Sequence, residues 1–367
     1  MMLSCHNNVN NMGVLRRRGG QRPSVYIHYI SLALLSVLLF SCSGAPGRFL
    51  TGNEQNNTVF LGNLVCEDGD YVYFCAHADE KHHNIRRINK KDRSVVEFDH
   101  EGYNLSIYGG YLYFVSIKNS YALCRLDLND PDGEAEVVNK EFVGRNKYTI
   151  FGGKIYTLDP YYPVFRMNID GSDVEEAIPI ADYWHIFGVD EKYIYTIFFK
   201  DRMAETIDGV ETNIFYFSRM GHDGENREKL FEIYTDSANA LGFYNDFLVI
   251  SGGYAYYKMW HGEKDEIIRN ELSANSKREV VYTVPDDEIV EMKAVTKDGI
   301  YIRRYGREAP YEYSQLPNAK LSLDGKTESP VEPVGGEEGE FIPVFVSRFD
   351  GGLYYIKDDA ICAFESR

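Results

Sequence analysis

Apolar and polar positions alternate along most of this chain in short runs, and glycine or aspartate punctuates them. The clearest case is Ser106-Ile-Tyr-Gly-Gly-Tyr-Leu-Tyr-Phe-Val115. Two consecutive glycines supply the positive φ of a hairpin turn, and the aromatic and β-branched run that follows suits a pleated strand. Side chains alternate along a strand, so Tyr111 and Tyr113 share one side and Leu112 and Phe114 the other. Both sides are apolar, and such a strand needs cover on both.

The same phrase recurs. Glu67-Asp-Gly-Asp-Tyr-Val-Tyr-Phe74 precedes it and Phe151-Gly-Gly-Lys-Ile-Tyr-Thr157 follows. Asp190–Thr196, Tyr244–Val249, Lys297–Ile302 and Phe349–Tyr355 complete a set of seven. A period of roughly 40 to 54 residues with strands in every unit predicts a β-propeller, all-β, of four-stranded antiparallel blades. Seven blades are expected, with six as the rival count. A third strand, such as Ala122–Asp127 or Val164–Asn168, runs towards an Asp-Gly turn (Asp132-Gly133, Asp170-Gly171, Asp223-Gly224, Asp324-Gly325) and a short fourth strand. The last unit ends after three strands, and Asn57-Thr-Val-Phe60 is expected to supply its outer strand, closing the ring.

The first 41 residues read as an address. Arg16, Arg17, Arg18 and Arg22 precede an apolar run that ends at Leu39-Phe-Ser-Cys42, the order of a secretory signal. The run is short for a membrane span, which needs about 20 residues. The placement of Cys42 resembles the bacterial lipoprotein signal, which implies lipidation at Cys42 and anchoring in the cell envelope, outside the cytoplasm. Residues 42–56 are small and polar and read as a tether; residues 57–367 form the propeller domain. Removing residues 1–41 takes away four of 39 basic residues and none of 56 acidic ones, moving the formal charge from −17 to −21. So acidic a surface repels phosphate backbones, and nucleic acid is excluded as a partner class. Membrane attachment rests on the lipid.

The phrases Glu67–Phe74 and Asn168-Ile-Asp-Gly171 resemble a family of bacterial secreted proteins whose propeller is similar to that of low-density-lipoprotein-receptor-related proteins. The resemblance covers about residues 60–367. The receptor propellers carry Tyr-Trp-Thr-Asp on the second strand; Tyr156-Thr157 and Tyr195-Thr196 keep part of it here, without the tryptophan. The resemblance implies a propeller and no catalytic residues.

Candidate chemistry is sparse. No nucleophile elbow and no phosphate-binding glycine loop is present. His77, Asp79, Glu80, His82 and His83 are the densest metal-type ligands, and they read as a solvated loop rather than a zinc site. No cofactor is expected. Cys66, Cys75, Cys124 and Cys362 stand in apolar runs and read as free thiols behaving as small hydrophobes, although the envelope permits disulfides. A four-residue turn would set Cys66 opposite Tyr71.

The aromatics say more: 29 Tyr, 21 Phe and 2 Trp exceed what second strands absorb. Tyr161, Tyr162, Tyr183, Trp184, Tyr257, Trp260, Tyr311 and Tyr313 fall between the strand phrases. In an up-and-down blade the loops that carry them emerge on one face, where they form a candidate surface for a glycan, a peptide or a partner protein. The alternative is that these rings plug the core under long loops. The sequence thus predicts a monomeric, non-catalytic binding or scaffold propeller. A propeller hydrolase or lyase acting on an envelope or extracellular polymer is the alternative.

Overall fold

The computed structural model describes residues 64–364, apart from 80–81, 141–147, 158–162, 179–184, 191, 200–204, 208–209, 237–247, 262–263, 307–316, 332–343, 348–349, 351 and 358. At 76–79, 82–83, 185–187, 199, 205–207, 210–211, 213, 235–236, 260–261 and 264 it describes the backbone alone. Every regular element among these residues is a β-strand. The first seven are β1 (Val65–Glu67), β2 (Tyr71–Asp79), β3 (His82–Asn89), β4 (Val95–Tyr108), β5 (Tyr111–Ser116), β6 (Ala122–Asp127) and β7 (Glu136–Asn139). The next sheet holds β8 (Tyr148–Phe151), β9 (Lys154–Thr157), β10 (Val164–Asn168) and β11 (Glu175–Ile178). The third holds β12 (His185–Val189), β13 (Ile194–Phe199), β14 (Glu205–Ile207), β15 (Val210–Met220) and β16 (Glu228–Asp236). The fourth holds β17 (Leu248–Ser251), β18 (Tyr254–His261), β19 (Lys264–Glu271) and β20 (Glu279–Thr283). The fifth holds β21 (Glu288–Thr296), β22 (Gly299–Gly306), β23 (Ala319–Leu321) and β24 (Glu328–Pro330). The last holds β25 (Val344–Val346), β26 (Leu353–Lys357) and β27 (Ala360–Ala363).

The arrangement is propeller-like and antiparallel throughout, but the expected count of six or seven separate four-stranded blades is corrected. Among the described residues, five sheets have four or more strands and a sixth has three. The reason lies in β4, which does not break between units. Its first half pairs with β3 and its second half with β5, so the first two repeats share one seven-stranded sheet. The tyrosine phrases lie on or beside second strands as expected, except one. Leu248 and Val249 belong to β17, the first strand, and the turn is Gly252-Gly253, with Tyr254 opening the second. Cys66 faces Tyr73 rather than Tyr71, because Glu67 pairs with Val72. Asn57–Phe60 lies outside the described residues.

Two chemistries make the first turn in six of the repeats. Gly109-Gly110, Gly152-Gly153 and Gly252-Gly253 have positive φ at both residues. In other repeats an aspartate replaces the glycines. Asp190 Oδ1 accepts the amides of Lys192 and Tyr193 at 2.7 Å each, and Oδ2 accepts the Tyr195 hydroxyl at 3.0 Å. Asp68 and Asp350 repeat this with Tyr73 and Tyr354, and the bond to Asp350 pushes the Tyr354 phenol up to about 12. In six repeats a residue no larger than valine stands across the ladder from the recurring tyrosine (Cys66, Ser106, Thr149, Gly188, Val249 or Ala294), and in the last, Phe345 stacks on Tyr354 instead.

Neighbouring repeats are joined by a latch that recurs four times. The fourth strand carries a one-residue bulge, at Val138, Ala177, Leu230 and Val281. The next repeat's third-to-fourth turn sits against it. At Gly171 and Gly325, with φ of +83° and +71°, an added Cβ would lie 2.0 Å and 1.6 Å from the carbonyl oxygens of Val138 and Val281. Glycine is required there by space as well as by φ. An arginine on the third strand tightens each latch. Arg125, Arg166, Arg219 and Arg269 donate Nε to Glu136, Glu175, Glu228 and Glu279 at 2.7–2.8 Å. Their Nη1 atoms reach the next turn, at the carbonyls of Ile169 (3.4 Å), His222 (2.8 Å), Leu272 (3.4 Å) and Leu323 (2.7 Å). A charged donor on a carbonyl contributes about 1.5–3 kcal/mol, and an exposed pair adds about 0.2–1.

Apolar clusters fill the space between successive repeats. Tyr113, Leu123 and Ile155 are shared by the second and third, Ile194 and Ile178 by the third and fourth, and so on round. The last joins the first. Phe345 and Ile356 pack with Val65, Val72, Phe74 and Ile88, while Arg86 Nη1 bonds Asp359 at 3.0 Å.

Candidate functional site

The fourth and fifth repeats depart from the others where they meet. An open cleft of about 640 Å³ lies between β16 and the β19–β20 turn, lined by Lys229, Phe231, Tyr234, Asn270, Asn275 and Arg278 among others. Beneath it four rings stack in a row from one repeat into the next. Tyr195 lies 6.3 Å from Phe217 at 23°, Phe217 4.9 Å from Phe231 at 16°, and Phe231 6.0 Å from Tyr257 at 7°. Offset stacks of this kind contribute about 0.5–1.5 kcal/mol per pair beyond area burial. The cleft therefore has a rigid floor.

Three repeat positions break their own rule here. The residue after the latch arginine is apolar and buried elsewhere, as Leu126, Met167, Met220 and, after Lys320, Leu321. In the fifth repeat it is Asn270, 1% exposed. Its Oδ1 accepts the Tyr257 hydroxyl at 2.8 Å, and its Nδ2 donates to Ser276 O and Oγ at 3.2 Å each. The turn residue that is Gly171, Gly224 or Gly325 becomes Asn275, also at positive φ (58°), and its amide donates to the bulge carbonyl of Leu230 at 2.8 Å. The residue before the latch glutamate is Ala135, Val174 or Thr327 in three repeats and arginine in two. Arg227 covers the Phe198 ring at 3.8 Å. Arg278 is exposed, and among the described residues its guanidinium meets the Met259 sulfur at 3.6 Å and no carboxylate. The opposite wall is fixed by Lys229, which bonds Glu232 at 3.0 Å, while Tyr234 donates to the same carboxylate.

Chemically, the cleft offers a preformed wall of hydrogen-bonding groups over an apolar base. The shifted acids nearby belong to latches. The Arg269 guanidinium holds the Glu279 carboxyl below its ordinary value, as Arg166 does for Glu175. Among the described residues, no three His, Cys, Asp or Glu side chains come together in a way that could hold a metal ion.

Of the predicted aromatic face, Tyr257 is the member whose side chain is described, and it is a core residue on β18, fully buried. Burial pushes its phenol well up. Trp260 is on the same strand with its backbone alone described; Tyr161, Tyr162, Tyr183, Trp184, Tyr311 and Tyr313 lie outside the described residues. His77, Asp79, His82 and His83 stand on β2 and β3, with His77 opposite His83, rather than in a loop, and Glu80 lies outside the described residues. Cys66, Cys75, Cys124 and Cys362 are free thiols, the first three buried. The strand pattern alone does not reveal the cleft. Its signal, the exceptions at 270, 275 and 278, emerges only when the repeats are aligned on the latch arginine.

No protein-family model matches the chain, and no curated protein matches it. Solved structures with a similar course include an oligogalacturonate lyase from Vibrio parahaemolyticus, at 13% identity and a TM-score of 0.44, over 87% of this chain and 91% of that one. The BamB propeller from Moraxella catarrhalis is similar at 10% identity and a TM-score of 0.41, over 83% and 96%. A propeller chain from a nidogen/laminin complex is similar at 11% identity and a TM-score of 0.36, over 68% and 96%. Likenesses at these TM-scores say nothing of ligand or chemistry.

Proposed function

We propose that this chain is a lipid-anchored protein of the bacterial cell envelope, of the secreted type its repeats resemble, whose propeller captures a glycan, peptide or partner protein without transforming it. The convergence of Asn270, Asn275 and Arg278 on one preformed cleft supports this reading. Departures from local rules that coincide in space mark function more often than stability. Cys42, directly after the apolar run, is the anchoring residue. Tethering of many copies raises avidity for a weakly held ligand. Tyr162, and Trp260 near the end of β18, belong to a second candidate surface of the same kind.

A glycan and peptide array probed with the detergent-solubilised full chain tests the reading. A hit lost in Asn275→Gly with Arg278→Ala, and kept in Tyr162→Ala and Trp260→Ala, is the expected outcome. A hit insensitive to the cleft variants removes the cleft. Cleavage or elimination of the hit ligand, read by mass spectrometry, replaces the binding function with the enzymatic one. Cys42→Ala should move the protein from the detergent phase to the aqueous one; a mutant that stays with detergent removes the lipid anchor.

A further inference from the structure

The cleft also carries an inference about its ligand, which rests on the binding reading above. Arg166, Arg219 and Arg269 each hold a carboxylate and a carbonyl. Arg278 differs. A methionine sulfur is a weak acceptor, so Arg278, which lines the cleft, keeps donors that no carboxylate among the described residues takes up. Arg is the side chain whose donor geometry fits a carboxylate with two parallel bonds. Lys277 beside it is exposed too, and the neighbouring Glu279 is occupied by Arg269 at 2.7 Å. In a chain of net charge −17 this is a local cationic point.

The surroundings narrow the ligand further. The acidic surface repels a polyanion, and one carboxylate meets the attraction of Arg278 with the least of that repulsion. The apolar floor is closed: Leu230 is 0% and Phe231 5% exposed. A peptide draws affinity from pockets for its side chains, and the floor offers none. The walls carry an amide at Asn275, an alcohol at Ser276 and the Tyr234 ring, which pair with hydroxyls and cover a sugar face. A volume of about 640 Å³ accommodates a mono- or disaccharide.

We infer that the cleft between the fourth and fifth repeats binds a saccharide bearing a single carboxylate, with Arg278 as the group that holds that carboxylate and Asn275 as a hydroxyl partner.

Methyl β-glucuronide and methyl β-glucoside, which differ by that carboxylate, are the probes, titrated up to about 10 mM by calorimetry or ligand-observed NMR on the solubilised full chain. The glucuronide should bind about ten-fold tighter, as a charge-assisted pair implies. Arg278→Gln should abolish the preference, Arg278→Lys should keep part of it, and both Arg278 variants should melt as the parent does because Arg278 joins no latch. A preference that survives Arg278→Gln overturns the assignment, as does equal binding of the two probes. Equal binding that is nevertheless lost in Asn275→Gly leaves the cleft reading standing and removes only the carboxylate. No binding by either probe, or binding of an acidic tripeptide in their place, removes the saccharide.

Discussion

Replacing Gly325 by alanine tests the latch directly. Its φ of +71° lies in the left-handed region, where an L-residue costs about 1–2 kcal/mol. Gly110, at φ +84°, has the same backbone problem but nothing within 4 Å of an added Cβ. A smaller unfolded ensemble returns about 0.4–1 kcal/mol in both cases. Gly110→Ala should therefore lose about 1 kcal/mol or less. At Gly325 the Cβ would lie 1.6 Å from the Val281 carbonyl oxygen, against ordinary contact at 3.4 Å or more, so the two repeats must part by about 1.8 Å. That displacement breaks the bond from Arg269 Nη1 to Leu323 O, now 2.7 Å long, which as a charged hydrogen bond contributes about 1.5–3 kcal/mol. The total loss should be about 1.5–4 kcal/mol. Urea unfolding of a graded series reads it. Gly110→Ala should be mildest, then Gly224→Ala (Cβ 2.7 Å from Ala177 O), Gly171→Ala (2.0 Å) and Gly325→Ala (1.6 Å). Equal losses at Gly110 and Gly325 would refute the latch and leave only the φ penalty.

Three further outcomes follow from the same contacts. Arg166→Met keeps the stem and removes the fork, so it should cost about 1.5–3 kcal/mol by urea unfolding, and a loss no greater than that of an exposed lysine such as Lys192→Met would dismiss the carbonyl contact. The latch carboxyls Glu175 and Glu279 sit below their ordinary value when folded, so their contribution is full at neutral pH and fades as pH falls from about 4.5 through the lower folded values. Arg166→Met should flatten that acid limb, and an unchanged slope would count against it. Burial alone pushes the Cys75 thiol up, so it should resist a thiol reagent in the native protein and react only on unfolding; native labelling at Cys75 would contradict its burial.

Much of the fold was legible because its hairpins advertise themselves. Gly109-Gly110 and Gly152-Gly153, each next to an aromatic strand, locate first turns, and Asp-Gly locates the outer ones. In the fifth phrase Phe247-Leu-Val249 imitates a second strand, whereas Gly252-Gly253 makes the turn. The unbroken β4 was hidden for a different reason. Periodicity marks strands, and nothing in Val95–Tyr108 says that one strand serves two repeats. The latch was invisible because Arg166 and Glu175 are ordinary surface residues until the next repeat supplies the His222 carbonyl. The same holds for the cleft. Asn270 looks like any polar residue in a strand until Leu126, Met167 and Met220 show what that position elsewhere buries. Tyr257 reads in the sequence like the loop aromatics because composition cannot tell a ring on a floor from a ring in a mouth.

The continuity of β4 has a mechanical meaning. A disc of separate sheets yields under tension one sheet at a time, each seam giving way by itself. Here the fourteen-residue strand Val95–Tyr108 crosses the first seam as covalent backbone hydrogen-bonded on both sides, to β3 before it and β5 after. Pulling from the N-terminus, the end a lipid on Cys42 would hold, meets this doubled sheet first. The first two repeats should come away as one event, with a contour gain near twice that of any later one. Load applied at that end would thus reach first the one seam, among the described residues, that a continuous strand crosses.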